Sequence, residues 1–447
     1  MNRCATRCML IGLALTLPAV TAMAENADAN SLLGKPTKLL DQRVGGEDFR
    51  PPGGRGGGMQ ISPDGRWLIY WKPTQPLPEI EGDGREVFMR RMQARMNQPG
   101  KIVLHDLKTG KAVNLLGKDK LVTRKQAIAL DIAEWISPSA SHALITVFNF
   151  KGSTPDRPVG DPNGTDLYLV RIGKKPESRK IKIGEKLAIG VCLAGAKQAL
   201  LAATNEIEGG SVLPTLKLIS LEEGGSGDKT YEQRGLPTAA HGSKAIVAVF
   251  HPRRPKSNDG GPTDFDDDTQ WHPAQLHLVD AETGKTVQRP NIHPKHGDRP
   301  TAFFLGKSDR IAYGDTDVVQ EPESEPGTGM TQKPAVRVWD MKKKTIVREF
   351  RERTLIGPGP TESTLVIAQR DSHFDPETHR MIRKHKSYLA DIKTGKTWPI
   401  TDKTILPLAA RGGKLVYSTQ KDGKNITCVA DIKLPAELQN RLKNNGK

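Results

Sequence analysis

The chain of 447 residues carries 67 Lys and Arg against 51 Asp and Glu, which gives a formal net charge of +16 at pH 7. The basic residues are spread along the chain and aromatic residues make up only 5%, so a nucleic-acid partner, which would need a basic tract and stacking rings, is disfavoured. After the N-terminus no apolar stretch is long enough for a membrane helix, and the positive charge leaves an acidic glycan or cell-envelope partner open.

The first 24 residues have the three parts of an export signal. Arg3 and Arg7 form the basic region, residues 9–20 form the apolar run, and residues 22–24 (Ala-Met-Ala) form the cleavage site. The apolar run is too short for a membrane span, although a retained anchor is the alternative. We expect cleavage after Ala24 and a periplasmic or secreted chain.

Cysteine usage gives little information about the fold. Cys192 and Cys428 remain beyond the signal, far apart in sequence and in apolar, strand-like surroundings. There is no metal-ligand spacing and no disulfide framework, so two buried thiols are favoured over a bridge.

A tight turn followed by a buried strand recurs along the rest of the chain. In its fullest form, Ser62-Pro63-Asp64-Gly65 leads into the apolar run at 67–71. Apolar runs of this length, bounded by turn residues, predict strands. Seven such runs lie at 67–71, 143–148, 199–204, 245–250, 310–315, 364–369 and 414–419.

An Asp-x-x-Thr-Gly-Lys turn follows alternate strands. It is strict at 106–111, 280–285 and 391–396, and degenerate copies end the runs at 167–173, 216–224, 336–345 and 427–433. The chemistry is that of a hairpin, because Asp caps the turn and Gly takes the positive φ. A repeat of about 40 to 50 residues, lengthened by insertions, is typical of a propeller blade. The sequence predicts an all-β fold, a seven-bladed β-propeller of four-stranded antiparallel blades over residues 58–434; a misplaced boundary would make six or eight blades.

The turn Ser62–Gly65, the strand that follows it and the later Asp-x-x-Thr-Gly-Lys turn together resemble the WD40-like blade of the TolB type. The same blade builds the propellers of prolyl oligopeptidase-type enzymes, and the resemblance covers nearly the whole mature chain. It implies the fold and three kinds of role: binding protein partners, gating a hydrolase domain or hosting a lyase site. No Gly-x-Ser-x-Gly elbow occurs and the chain stops just after the seventh blade, so we expect no hydrolase domain.

The last blade lacks a fourth strand of its own. Residues 25–57 contain one strand-like segment, Lys38–Val44, before the Gly/Pro-rich stretch 50–59. We predict that this segment supplies the outer strand of the last blade and removes an exposed sheet edge. A disordered N-terminal arm is the alternative. Residues 435–447 are expected to form a polar tail.

The loops between second and third strands are the long ones, and alternating strand direction places all of them on one face. Long loops on a rigid scaffold are where function usually lies. The first, residues 84–97, has Phe88, Met92 and Met96 at helical spacing, with Arg90, Arg91 and Arg95 pointing elsewhere. We predict an amphipathic helix, either a lid packed on its own propeller, slightly favoured, or a partner-binding surface.

The fourth and later loops are polar. Within residues 251–273, four Asp lie close together at 264, 266, 267 and 268, and a solvated acidic loop is favoured there over a calcium site. Histidines recur in this loop, in the next loop and in the sixth loop, 370–386. The histidines match no known metal-ligand spacing, so a polar binding surface is favoured over a metal or catalytic site. The fifth loop, 315–334, is acidic and rich in Pro and Gly, and we expect it to be mobile.

Two functions from different classes follow. The favoured one is an exported, non-enzymatic, monomeric propeller that binds a protein or acidic glycan, without a cofactor. The alternative is a secreted lyase or hydrolase that acts on an acidic polysaccharide with His and a divalent metal; a structural envelope scaffold is a weaker third. The predicted binding face comprises Phe88, Arg90, Arg91, Met92, Arg95, Met96, His251, Arg253, Arg254, Trp271, His272, His293, His373 and His379.

Overall fold

The computed structural model shows an all-β chain in which antiparallel hairpins follow one another. It describes residues 31–41, 59–82, 84–117, 120–128, 133–135, 142–151, 161–173, 175–192, 197–205, 214–222, 228–251, 272–290, 301–306, 309–320, 330–375, 380–401, 405–422 and 424–445. The N-terminal strand is β1 (Thr37–Leu40). The remaining strands form antiparallel units, numbered here in chain order; units 1 to 6 have four main strands each, and β1 is the fourth strand of unit 7.

The first three units follow the predicted repeat. Unit 1 contains β2 (Met59–Ile61), β3 (Trp67–Pro73), β4 (Pro99–Asp106) and β5 (Ala112–Asn114), and β6 (Val122–Thr123) also pairs with β4. Unit 2 contains β7 (Ala133–Trp135), β8 (His142–Lys151), β9 (Asp161–Arg171) and β10 (Glu177–Ile181). Unit 3 contains β11 (Leu187–Cys192), β12 (Gln198–Thr204), β13 (Thr215–Ser220) and the first part of β14 (Lys229–His241).

The second part of β14 begins unit 4, so units 3 and 4 share one continuous sheet. Unit 4 continues with β15 (Lys244–His251), β16 (His272–Asp280) and β17 (Thr286–Gln288). Unit 5 contains β18 (Ala302–Phe304), β19 (Arg310–Gln320), β20 (Met330–Asp340) and β21 (Thr345–Arg351). Unit 6 contains β22 (Thr354–Pro358), β23 (Thr364–Asp375), β24 (Arg380–Asp391) and β25 (Thr397–Pro399). Unit 7 contains β26 (Leu406–Arg411), β27 (Lys414–Lys421) and β28 (Lys424–Asp431).

The apolar core lies between units rather than inside one. Unit 1 packs on unit 2 through Trp71, Ile102 and Ile145, because alternate side chains of each strand point to opposite faces of its sheet. Each later unit packs on the next in the same way, and Leu68 and Tyr70 of unit 1 pack against Val416 of unit 7. This arrangement is a β-propeller built from four-stranded antiparallel units, as predicted.

The N-terminal strand adds to the last unit, as predicted. β1 pairs antiparallel with β28, with Thr37 opposite Val429, and Leu40 is buried against unit 1. The pairing begins one residue earlier than predicted, and residues 42–44 lie outside the described part of the chain. A strand in this position removes an exposed sheet edge.

The end of the chain differs from the expected polar tail. Residues Ala436–Asn445 form a helix, α3, with Leu438 buried against units 6 and 7. Arg441 pairs with the buried Asp391 at 2.6 and 2.8 Å. The sequence reading missed this helix because its apolar residues are few and its main anchor is an ion pair.

The repeated Asp turns have the predicted chemistry. In unit 1 the Lys108 amide donates to Asp106 Oδ1 at 3.0 Å, and Gly110 has φ 72°. The Arg66 guanidinium also donates to Asp106, and these contacts hold the pKa of Asp106 at about 2 against the cost of its burial. In the degenerate copy of unit 5, Lys344 occupies the glycine position with φ 54°.

Candidate functional site

The first long loop contains the predicted helix, here α1 (Arg85–Asn97). It lies between the second and third strands of unit 1, on the predicted long-loop face. Its packing differs from the sequence prediction in one respect. Met96 is buried and Met92 is half-buried, whereas Phe88 is 51% exposed. The helix is rotated so that Met89, Met92 and Met96 face the propeller, and Phe88 lies on the outer flank with Arg95.

Buried contacts beneath α1 hold its C-terminal end. Gln98 is buried. Its side-chain amide donates to the backbone carbonyl of Gln75 at 2.7 Å, and its backbone carbonyl accepts from the backbone amide of Arg124 at 2.9 Å. Arg124 begins the short helix α2 (Arg124–Ile128), which contacts α1, and its guanidinium lies over the ring of Trp71. Trp71 in turn donates to the Val122 carbonyl at 2.9 Å. These contacts make α1 a fixed part of the propeller surface.

The arginines of α1 have different surroundings. Arg91 donates to the carbonyls of Ile80 and Gly82 at 2.8–2.9 Å and so ties the helix to the preceding loop. Arg90 pairs with Glu86 one turn earlier. Arg95 is exposed and pairs with no side chain in the part of the chain that the structure describes. The outer flank of α1 therefore presents an exposed aromatic ring, Phe88, and an exposed cation, Arg95, about two helical turns apart.

Among the predicted histidines, the backbone brings two together. His251 ends β15 and His272 begins β16, and the register places them directly opposite each other. His373 lies in β23 opposite Ile382. Arg253, Arg254, Trp271, His293 and His379 lie outside the described residues, as does the acidic stretch with the four Asp.

The fifth and sixth loops are shorter than predicted, because their strands continue into them. Residues 315–320 and 330–334 belong to β19 and β20, so the prediction of a mobile acidic segment is wrong for both ends; residues 321–329 lie outside the described part. In the same way, β23 and β24 continue into the sixth loop. They stay paired from Gln369 opposite Lys386 to Asp375 opposite Arg380, so most of this loop is a β-hairpin.

Three carboxylates surround Arg337 on one face of unit 5. Its Nε donates to Glu349 at 2.9 Å, and its guanidinium also pairs with Asp315 and Asp317. Arg337 is largely buried, and the neighbouring Tyr313 is fully buried, which raises the pKa of its hydroxyl. Because every carboxylate faces the same cation, this cluster serves the packing of the hairpin.

A cavity that the sequence does not predict lies on the opposite face. It has a volume of about 310 Å³, and the turns between first and second strands of units 1, 4, 5, 6 and 7 line it. The first strands of neighbouring units contact one another, for example β2 with β26 and β22 with β26, so the first strands are innermost and these turns surround the central axis. Thr361 and Glu362 separate the cavity from a wider groove of about 780 Å³ that reaches Leu442 of α3.

Two observations concern metals and membranes. Within the described ranges, no group of three or more His, Cys, Asp or Glu side chains is placed to hold a metal ion. None of the described helices is both long and apolar enough to cross a membrane. Of the two remaining cysteines, the side chain of Cys428 is described; it is a buried free thiol.

No protein family and no curated protein sequence matches the chain. The WD40 domain of Toxoplasma gondii coronin is similar in structure, at 10% identity and a TM-score of 0.43 over 90% of this chain and 87% of that one. The β-propeller domain of the Trilobed protease from Pyrococcus furiosus is similar at 11% identity and a TM-score of 0.40, over 68% and 85%. These likenesses are too distant to transfer a role to this chain.

Proposed function

We propose that this protein is an exported, non-enzymatic β-propeller that binds a protein partner through the face carrying α1. The observation that carries the proposal is the outer flank of that helix, where Phe88 is 51% exposed and Arg95, about two turns further along the same flank, is also exposed. Buried aromatic and arginine side chains are the commonest energetic centres of protein interfaces. Phe88 and Arg95 are exposed in the free chain, so a bound partner could bury both.

The rigidity of α1 supports the same role. Met96, Gln98 and the Arg91 clamp hold the helix in place. A preorganised helix loses less conformational entropy on binding than a free loop does. The helix carries four Arg and one Glu, so the partner surface should be acidic. Export is supported by the basic, apolar and small-residue order of residues 1–24.

Site-specific photocrosslinking in the native host tests the proposal. Benzoylphenylalanine in place of Phe88 should give a discrete cross-linked protein adduct. The same reagent in place of Val287, which is 49% exposed on β17 outside the α1 surface, is the matched control. Adding Arg95→Glu to the Phe88 probe should reduce the adduct strongly. An adduct equally abundant at both positions, or none at position 88, would reject the proposal.

The enzyme alternative has one observation in its favour. His251 and His272 occupy paired backbone positions at the long-loop end of unit 4. Two such groups are the minimum of a His-dependent site. Incubation with polyuronates and divalent metals, followed by absorbance of unsaturated products, tests it. Product formation that His251→Gln abolishes would favour the alternative, and no product with any metal would end it.

A further inference from the structure

The cavity of about 310 Å³ around the central axis, on the face opposite α1, is bordered by turns that pack closely against one another. A Cβ on Gly65 of unit 1 would lie 2.1 Å from the Gly412 carbonyl oxygen of unit 7, and both glycines have positive φ. A Cβ on Gly306 of unit 5 would lie 2.5 Å from the side chain of Glu362 of unit 6. Neighbouring turns therefore touch directly, and the cavity exists without a ligand to shape it.

The two halves of the rim differ in chemistry. On units 4 and 5, the rings of His241 and Phe304 lie 5.6 Å apart at 35° and are half-buried. On units 6 and 7, Glu362 and Arg411 line the cavity with opposite charges. An apolar wall with a few polar groups is typical of small-ligand sites, and about 310 Å³ is at the lower end of their range.

We propose that this cavity binds a small zwitterion with an aromatic body, of the α-amino acid class. The His241 and Phe304 rings pack against the aromatic group by offset or tilted stacking. Glu362 faces the ammonium group and Arg411 faces the carboxylate, each adding charge-assisted hydrogen bonds. This site is separate from the α1 surface, so its occupancy does not depend on the proposed protein partner.

Calorimetric titration of the purified protein with L-phenylalanine tests this assignment. We expect saturable binding, with phenethylamine and 3-phenylpropionate each bound about tenfold or more weakly because each lacks one charge. Glu362→Gln should remove the preference over 3-phenylpropionate, and Arg411→Gln the preference over phenethylamine. Phe304→Leu should weaken binding of all three ligands.

Val287→Ala, on the outer strand β17 and outside the cavity, is the control and should bind as the wild type does. The melting temperature of every variant is measured first, so that loss of binding is separated from loss of fold. No saturable binding of phenylalanine up to concentrations on the order of 10 mM overturns the proposal. The proposal is also overturned if Glu362→Gln, Arg411→Gln and Phe304→Leu all bind the ligands with the affinity and preference of the wild type.

Discussion

Removing Arg441 should cost more stability than its place near the chain end indicates. Its guanidinium pairs with both oxygens of Asp391, at 2.6 and 2.8 Å, and Asp391 is fully buried. Burial alone would raise the pKa of this carboxyl, but hydrogen bonds from Arg441 and Thr394 outweigh it and lower the pKa from 3.8 to about 2. That difference corresponds to about 2 kcal/mol of stability above pH 3.8.

The expected result for Arg441→Met is a loss of about 2–3 kcal/mol in the free energy of unfolding at pH 7, because an uncompensated buried carboxylate remains. Since the folded-state pKa of Asp391 lies below its unfolded value, the wild type loses this stabilisation as the pH falls from 3.8 through 2. The difference between variant and wild type should therefore shrink below pH 3.8.

Urea unfolding followed by circular dichroism at pH 7 and near pH 3 measures both differences. Lys396→Met is the matched control. It removes an exposed ion pair to Glu437, which lies on the same helix as Arg441, α3. Such a pair contributes less than about 1 kcal/mol. A loss from Arg441→Met no larger than that of the control, or one that does not change with pH, would refute the reasoning.

Three further predictions concern turns and the buried thiol. Gly110→Ala should lower the free energy of unfolding by about 1 kcal/mol from backbone strain alone, because φ is 72° and a Cβ meets no atom within 4 Å. Gly284→Ala should lower it more, because its Cβ would lie 2.2 Å from the Tyr231 ring. Urea unfolding of both variants measures the difference. Lys344→Gly should raise the melting temperature by relieving φ 54°, and an unchanged or lower value would argue against strain there. Cys428 should resist alkylation in the native state, because it is buried and burial raises the pKa of its thiol; labelling at the rate of a free thiol would contradict this.

Some of the candidate site was readable from local pattern. The helical spacing of residues 84–97 predicted α1, since a helix depends on contacts within a few residues. Its orientation was not readable: the sequence grouped Phe88 with Met92 and Met96, but the rotation was set by Gln98, Arg124 and the unit beneath. Which side of a surface helix faces solvent is decided by tertiary packing.

The acidic segment at 315–334 shows the opposite case. Its composition predicted a mobile loop, yet Asp315 and Asp317 belong to a strand, because Arg337 on the paired strand forms ion pairs with both carboxylates. No local pattern signals a partner that far along the chain. The axial cavity was equally unpredictable, since its walls come from turns of five different units.

The sequence by itself determined what repeats: strands, Asp turns with their positive-φ glycines, and an N-terminal strand for the last sheet. These follow from alternation and turn chemistry within each unit, whose physics is local. Only the tertiary structure decided the orientation of α1, the ion pair that fixes α3 and the cavity at the axis. Each of these depends on residues that are distant in sequence and meet only once the sheets have packed around one another.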